Sequence, residues 1–158
     1  MMQEVQVFGS CKDKITMARA YRLGLWRRLI NWMIGVLLRL GVSPPHTYLL
    51  TVRGRKSGHP YSTPVTLVEE AGKRWLVAPY GEVGWVRNAR AAEQVTLTRG
   101  RRFETVRILE LAAEDAAPVL QKYLAQVPVV RPFFDVTPKS NLRDFVAEAS
   151  RHPVFRIQ

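Results

Sequence analysis

The chain has 158 residues and a mass of 18.0 kDa, with 47% hydrophobic and 23% charged residues. That supplies one core, and it excludes an ordinary two-domain enzyme and collagen-like, low-complexity or disordered chains. Lys and Arg number 24 against 13 Asp and Glu, so a net charge of +11 and a pI near 10.5 predict an anionic partner or surface without naming it.

The single cysteine, Cys11, leaves no intramolecular disulfide and no cysteine-built zinc site, which fits a reducing cytoplasm. The opening MMQEVQVFGSCKDK lacks the order of a signal peptide and reads as a polar arm. From Tyr21 to Leu40, Gly24, Arg28, Asn31, Gly35 and Arg39 recur at helical spacing and predict an amphipathic helix with one narrow polar seam. Arginines at 27, 28 and 39 keep its apolar run below the roughly 18 residues that a membrane crossing needs. Its wide apolar arc requires a second partner. Two fit: an anionic membrane surface, met by Arg22, Arg27, Arg28 and Arg39 with Trp26 and Trp32 at the interface, or the second copy of a homodimer. Gly41, Pro44 and Pro45 end the helix, so residues 1–44 form an arm and helix ahead of a domain over 45–158.

Beyond the prolines the pattern alternates. TYLLTVR, TPVTLVEE, KRWLVAPY, EQVTLTR and ETVRILEL read as strands, with Gly-containing hairpin turns at Glu70–Lys73 and Arg99–Arg101. Closure into a barrel would remove their exposed edges. GWVRNARAA, Gly84 to Ala92, reads as a short inserted helix, AAEDAAPVLQKYLAQV and NLRDFVAEA as later helices, the last capped by Ser140, and HPVFRIQ as a final strand. The fold class is α+β, mainly antiparallel β.

HExxH, GxSxG, GxxxxGK[ST] and GxGxxG are all absent. His46, His59 and His152 lie near prolines without metal-ligand spacing and read as surface or capping residues. The acid pairs Glu69–Glu70 and Glu114–Asp115 are explained by solvation and the helix dipole. Two stretches stand apart. Arg53-Gly54-Arg55-Lys56-Ser57-Gly58-His59-Pro60 gathers backbone amides, cations and a hydroxyl that would suit an anionic oxygen cluster, or it is a solvated hairpin turn. In APYGEVGWVRN, Trp85 and Asn88 share one helix face and suit a flat heterocycle with polar edges, or Trp85 is a core anchor and Asn88 a surface residue.

In order, GRKSG, TPV and VAPYGEVGWVRN resemble the deazaflavin-dependent nitroreductase family, which binds the 8-hydroxy-5-deazaflavin coenzyme F420. The resemblance spans Pro45 to Gln158 and implies a split β-barrel. It implies phosphate binding by Arg55, Lys56, Ser57 and Gly58, a ring pocket lined by Pro64 and the turn Ala78, Pro79, Tyr80, Gly81, and completion by Trp85 and Asn88. Many members carry a basic residue directly after the proline of G-x-P. Here it is Tyr61, with Arg53 or Arg87 available to compensate.

The implied activity is hydride transfer from the reduced coenzyme to a quinone-like, nitroaromatic or enone acceptor, with solvent, Tyr80 or Tyr123 giving the proton. An acceptor wall is expected from Val130, Phe133 and Phe134, in a stretch that also reads as a proline-braced core loop. The competing classes are an FMN enzyme on the same barrel and a nucleic-acid-binding module. The second is disfavoured by dispersed basic residues and the absence of RRM, KH or helix-turn-helix patterns. The expected location is the cytoplasm, peripheral to the membrane if the first helix binds it.

Overall fold

The computed structural model describes residues 45–158, so the expected arm and amphipathic helix, with their membrane or dimer contacts, lie outside the described residues. Strands β1 (Thr47–Arg53), β2 (Pro60–Glu70), β3 (Lys73–Val77), β4 (Gln94–Arg99), β5 (Arg102–Glu110) and β6 (Val154–Ile157) form a closed antiparallel barrel in the order β1-β2-β3-β6-β5-β4. Helix α1 (Gly84–Ala92) is inserted between β3 and β4. Helix α2 (Ala113–Gln126), a 3-10 turn (Pro128–Phe133) and helix α3 (Leu142–Ala149) lie between β5 and β6. The barrel and helices match the expectation for residues 45–158.

Side-chain alternation explains why the chain builds two cores. Leu67 faces Leu76 across β2 and β3, Leu76 faces Phe155 across β3 and β6, and all three point into the barrel. One residue along, Val68, Val77 and Val154 point outward and meet Leu120, Leu124 and Phe145 from α2 and α3. Phe145 and Phe155 are fully buried, one in each core, and truncating either to Ala costs about 3–5 kcal/mol. Helix α1 plugs one end of the barrel with Val86 and Ala89. Arg90 ties it to β5 through two 2.7 Å bonds to Glu110 and also pairs with Glu82. This exposed cluster fixes the helix's placement more than it stabilises the fold.

Three local expectations are corrected. Strand β3 ends at Val77, not Tyr80, because Pro79 has no N–H to offer the ladder and the chain turns there, with the Gly81 N–H donating to Ala78 O at 3.1 Å. The residue before α3 is Asn141, whereas the Ser140 hydroxyl accepts from Thr137 N at 3.0 Å and closes the preceding turn. His152 is 5% exposed, not a surface residue, and its ring stacks on Phe134 with centroids 3.9 Å apart.

Beside His152 lies a second buried polar group, Glu148. Its Oε1 accepts from Asp135 N at 2.8 Å and from Arg151 Nη2 at 2.7 Å, while Oε2 sits 3.1 Å from His152 Nε2 but off the line of a good hydrogen bond. Burial holds the imidazole below its ordinary range, against Glu148 and the backbone of Ala78 and Pro79, which favour the charged form; Arg151 opposes it. The unfolded chain therefore protonates at this residue before the folded one does. Stability is at its full value above about pH 6.5 and falls as pH drops below it toward the lowered folded value. Thermal unfolding followed by circular dichroism will show this mildly acidic loss in the wild type and a smaller loss in His152→Gln.

Candidate functional site

The turn between β1 and β2 depends on its glycines. The Gly54 N–H donates to His59 O at 2.8 Å, the Gly58 N–H donates to Gly54 O at 2.9 Å, and Gly58 adopts φ +70°, where a side chain would be strained. Gly54 is needed for space: a Cβ there would lie 2.5 Å from Tyr61 Cε2 and 2.8 Å from Ser57 Oγ. The aromatic ring thus packs directly on the bare Gly54 backbone.

Helix α1 braces this turn from the side. Asn88 is 7% exposed, and its Oδ1 accepts from the Arg55 N–H at 3.2 Å and from Arg55 Nη1 at 3.0 Å. The sequence reading paired Asn88 with a ring. The structure adds a contact with Arg55, in which Asn88 holds both the backbone and the guanidinium of the basic turn while still lining the cleft. Trp85, on the same helix, is half-buried, packs against the barrel core and has its ring 6.0 Å from that of Phe155. It also borders the cleft, so core packing and a cleft-facing placement coexist in one residue.

A cleft of about 1000 Å³ opens between these elements and the start of the C-terminal helices. Arg55, Lys56 and Ser57 stand at its basic end, and Pro64, Pro79, Tyr80, Trp85 and Asn88 form its walls. Tyr123, Val127, Val129 and Val130 close the side formed by α2 and the 3-10 turn. The structure therefore brings most of the expected residues together.

Five of them are not lining residues. Gly58 closes the basic turn; Ala78, fully buried, and Gly81, at φ +77°, shape the turn behind Pro79 and Tyr80. Phe133 packs edge-on against Tyr80, with centroids 4.8 Å apart, and Phe134 is in the core against His152. Neither suggested compensating cation lines the cleft. Arg53 Nε donates to Gly58 O at 3.2 Å, and Arg87 pairs with Glu82 at 3.7 Å.

The two tyrosines differ in burial. Tyr123 is 3% exposed, and burial pushes its phenol well above the ordinary tyrosine range, which keeps it protonated and makes it a reluctant donor of that proton. Tyr80 is half-exposed at the cleft mouth. Lining residues that the sequence reading did not assign include Tyr61, Ser62, Thr63, Val83, Val127 and Val129. Alternation along β2 signals Tyr61 and Thr63 as one face, but only the fold tells which face meets a cleft. Among the described residues, no cluster of His, Cys, Asp and Glu could hold a metal ion, and no helix is long and apolar enough to cross a membrane.

Comparison with known proteins places this geometry. No curated protein matches the chain. Among solved structures, the F420-H2 dependent reductase FDR-A is 23% identical, with 72% of this chain and 95% of that one covered at a TM-score of 0.51. A structure described as a domain-swapped dimer is 21% identical, covers 85% of this chain and 98% of its own, and gives a TM-score of 0.53. A NimC/NimA family protein from Clostridium acetobutylicum is 13% identical, covers 85% and 88%, and gives 0.50. These likenesses speak to the fold alone. The family model for F420H(2)-dependent quinone reductase matches residues 30–136, which include the basic turn, α1 and most of the cleft's lining, and the chain belongs to that family of F420-dependent reductases.

Proposed function

We propose that the protein moves a hydride from reduced coenzyme F420 to a quinone-type acceptor within the 1000 Å³ cleft, and that nitroaromatic and enone acceptors fit the same surface. The observation that carries this reading is the cleft's polarity: cations and a hydroxyl at one end, prolines and aromatic rings along the walls. Such a site suits a ligand with an anionic tail and a flat, polar-edged ring. When bound, the deazaflavin supplies the hydride.

The chain's own residues supply position, charge and exclusion of water. Lys56 and Ser57 meet the phosphate with the Arg55 guanidinium, which Asn88 already orients. Because Arg55 and its backbone are fixed before the ligand arrives, less ordering is left to be done on binding. Pro64, Pro79 and Trp85 hold the ring flat, and Ala78 and Gly81 support them through the turn. Val129 and Val130 give the acceptor an apolar wall, and Phe133 extends it only by bracing Tyr80. Solvent at the open mouth, or the Tyr80 hydroxyl there, returns the proton that a reduced acceptor needs. Tyr123, whose phenol is raised by burial above the ordinary tyrosine range, is a reluctant source of that proton and lines the side of the cleft formed by α2.

The net charge of +11 has the sign that concentrates an anionic coenzyme near the protein. Residues 1–44 are proposed to dock on a membrane surface, where a lipid-soluble quinone would be at hand, or on a second copy of the chain.

Three measurements test this reading. Titration of the purified protein with F420 and, in parallel, FMN, followed by ring fluorescence, will show selective binding of the deazaflavin; tighter binding of FMN would favour the FMN class. Lys56→Ala will weaken F420 binding by roughly tenfold or more, the size expected for a lost charge-assisted hydrogen bond of about 1.5–3 kcal/mol. Asn88→Ala leaves the part-buried Arg55 N–H without its acceptor and is expected to cost about 1–3 kcal/mol of stability together with coenzyme affinity, whereas Asn88→Asp retains both bonds and the stability but loses affinity, because its carboxylate offsets the Arg55 charge.

A further inference from the structure

Tyr61 is not part of the cationic set, yet it stands at the basic end of the cleft in a defined pose. Its ring rests on the Gly54 backbone, where no Cβ could fit, and its hydroxyl lies 3.3 Å from Ser57 Oγ. Ser57 Oγ has a second neighbour, the His59 N–H, which donates to it at 3.3 Å. A hydroxyl has two acceptor sites and one proton. The phenol is the more acidic of the two hydroxyls and so the better donor, and the aliphatic oxygen is the better acceptor. With the phenol as donor beside the His59 N–H, both acceptor sites of Ser57 Oγ are used. Its own proton must then point elsewhere.

We propose that Tyr61 is a positioning residue that acts through Ser57, turning the serine hydroxyl into a dedicated donor toward a phosphate oxygen bound between Arg55 and Lys56. The inference rests on the proposed use of the basic turn as a phosphate site. It assigns to a neutral aromatic residue a part in anion recognition that charge counting would give to a cation. It also explains why Gly54 is needed for space: any side chain there would lift the ring and break the alignment of the two hydroxyls.

The test uses the full chain and two fluorescent probes, coenzyme F420 and the same deazaflavin riboside lacking the phosphate and tail. Tyr61→Phe keeps the ring on Gly54, and because Tyr61 is half-exposed the variant will unfold at the wild-type temperature. Expected is a loss of about fivefold in F420 affinity, the size of one neutral hydrogen bond, with no change for the phosphate-free probe. Ser57→Ala will lose at least as much, and adding Tyr61→Phe to Ser57→Ala will cost nothing further, because the effect passes through the serine. Unchanged F420 affinity in Tyr61→Phe, an equal loss on both probes, or additive losses in the double variant would each overturn the proposal. A wild-type protein that binds both probes equally would instead remove the phosphate site itself, and with it both this inference and the reading on which it rests.

Discussion

Barrel closure is the constraint on which the rest depends. Each of β2, β3 and β6 must satisfy an interior and an exterior at once, and the period-two alternation of Leu67–Val68, Leu76–Val77 and Phe155–Val154 does so, with Leu67 paired to Leu76, Leu76 to Phe155 and Val77 to Val154. A slip of one residue in any pairing would turn valines inward and leucines or a phenylalanine out toward α2 and α3. Closure also leaves no free sheet edge on these strands. The polar residues of the cleft collect at one end, in the turn after β1, along the first half of β2 and on the inserted helix.

That end is organised by contacts between segments distant in sequence. Arg55 is held by Asn88 from α1, Tyr61 lies on Gly54, and the Ala78–Gly81 turn is seated on the Arg151–Pro153 segment that enters β6. The Phe134–His152 stack and the Glu148 carboxylate sit directly behind that turn. The C-terminal helices therefore do more than cover the barrel's outer wall. They set the height of Pro79 and Tyr80 along the cleft, while the basic turn sets its charge.

The strands, their turns and the three helices after residue 45 were legible because alternation, glycine position and helical spacing are local signals. The basic turn and the Trp85–Asn88 helix face were legible for the same reason, and the structure puts both on one cleft. What sequence could not give is pairing across space. Nothing near Asn88 says that its acceptor belongs to Arg55, and nothing near Phe134 or His152 says that they stack in a core and not on a cleft wall or at the surface. Ser140 looked like a helix cap because serine ahead of a helix often is one, but its hydroxyl was already taken by Thr137. Tyr61 was visible only as a missing cation, since its packing on Gly54 is a property of the folded turn.

The Arg55–Asn88 bond joins residues 33 positions apart, with the whole of β2 and β3 between them. A growing chain leaving the ribosome exposes the basic turn and the β1–β2 hairpin first, and the brace for Arg55 arrives only once α1 has emerged and docked. Until then Arg55 lacks the acceptor that Asn88 supplies to its N–H and guanidinium, so a chain truncated before α1 would keep the cations of the basic turn without the contact that orients them.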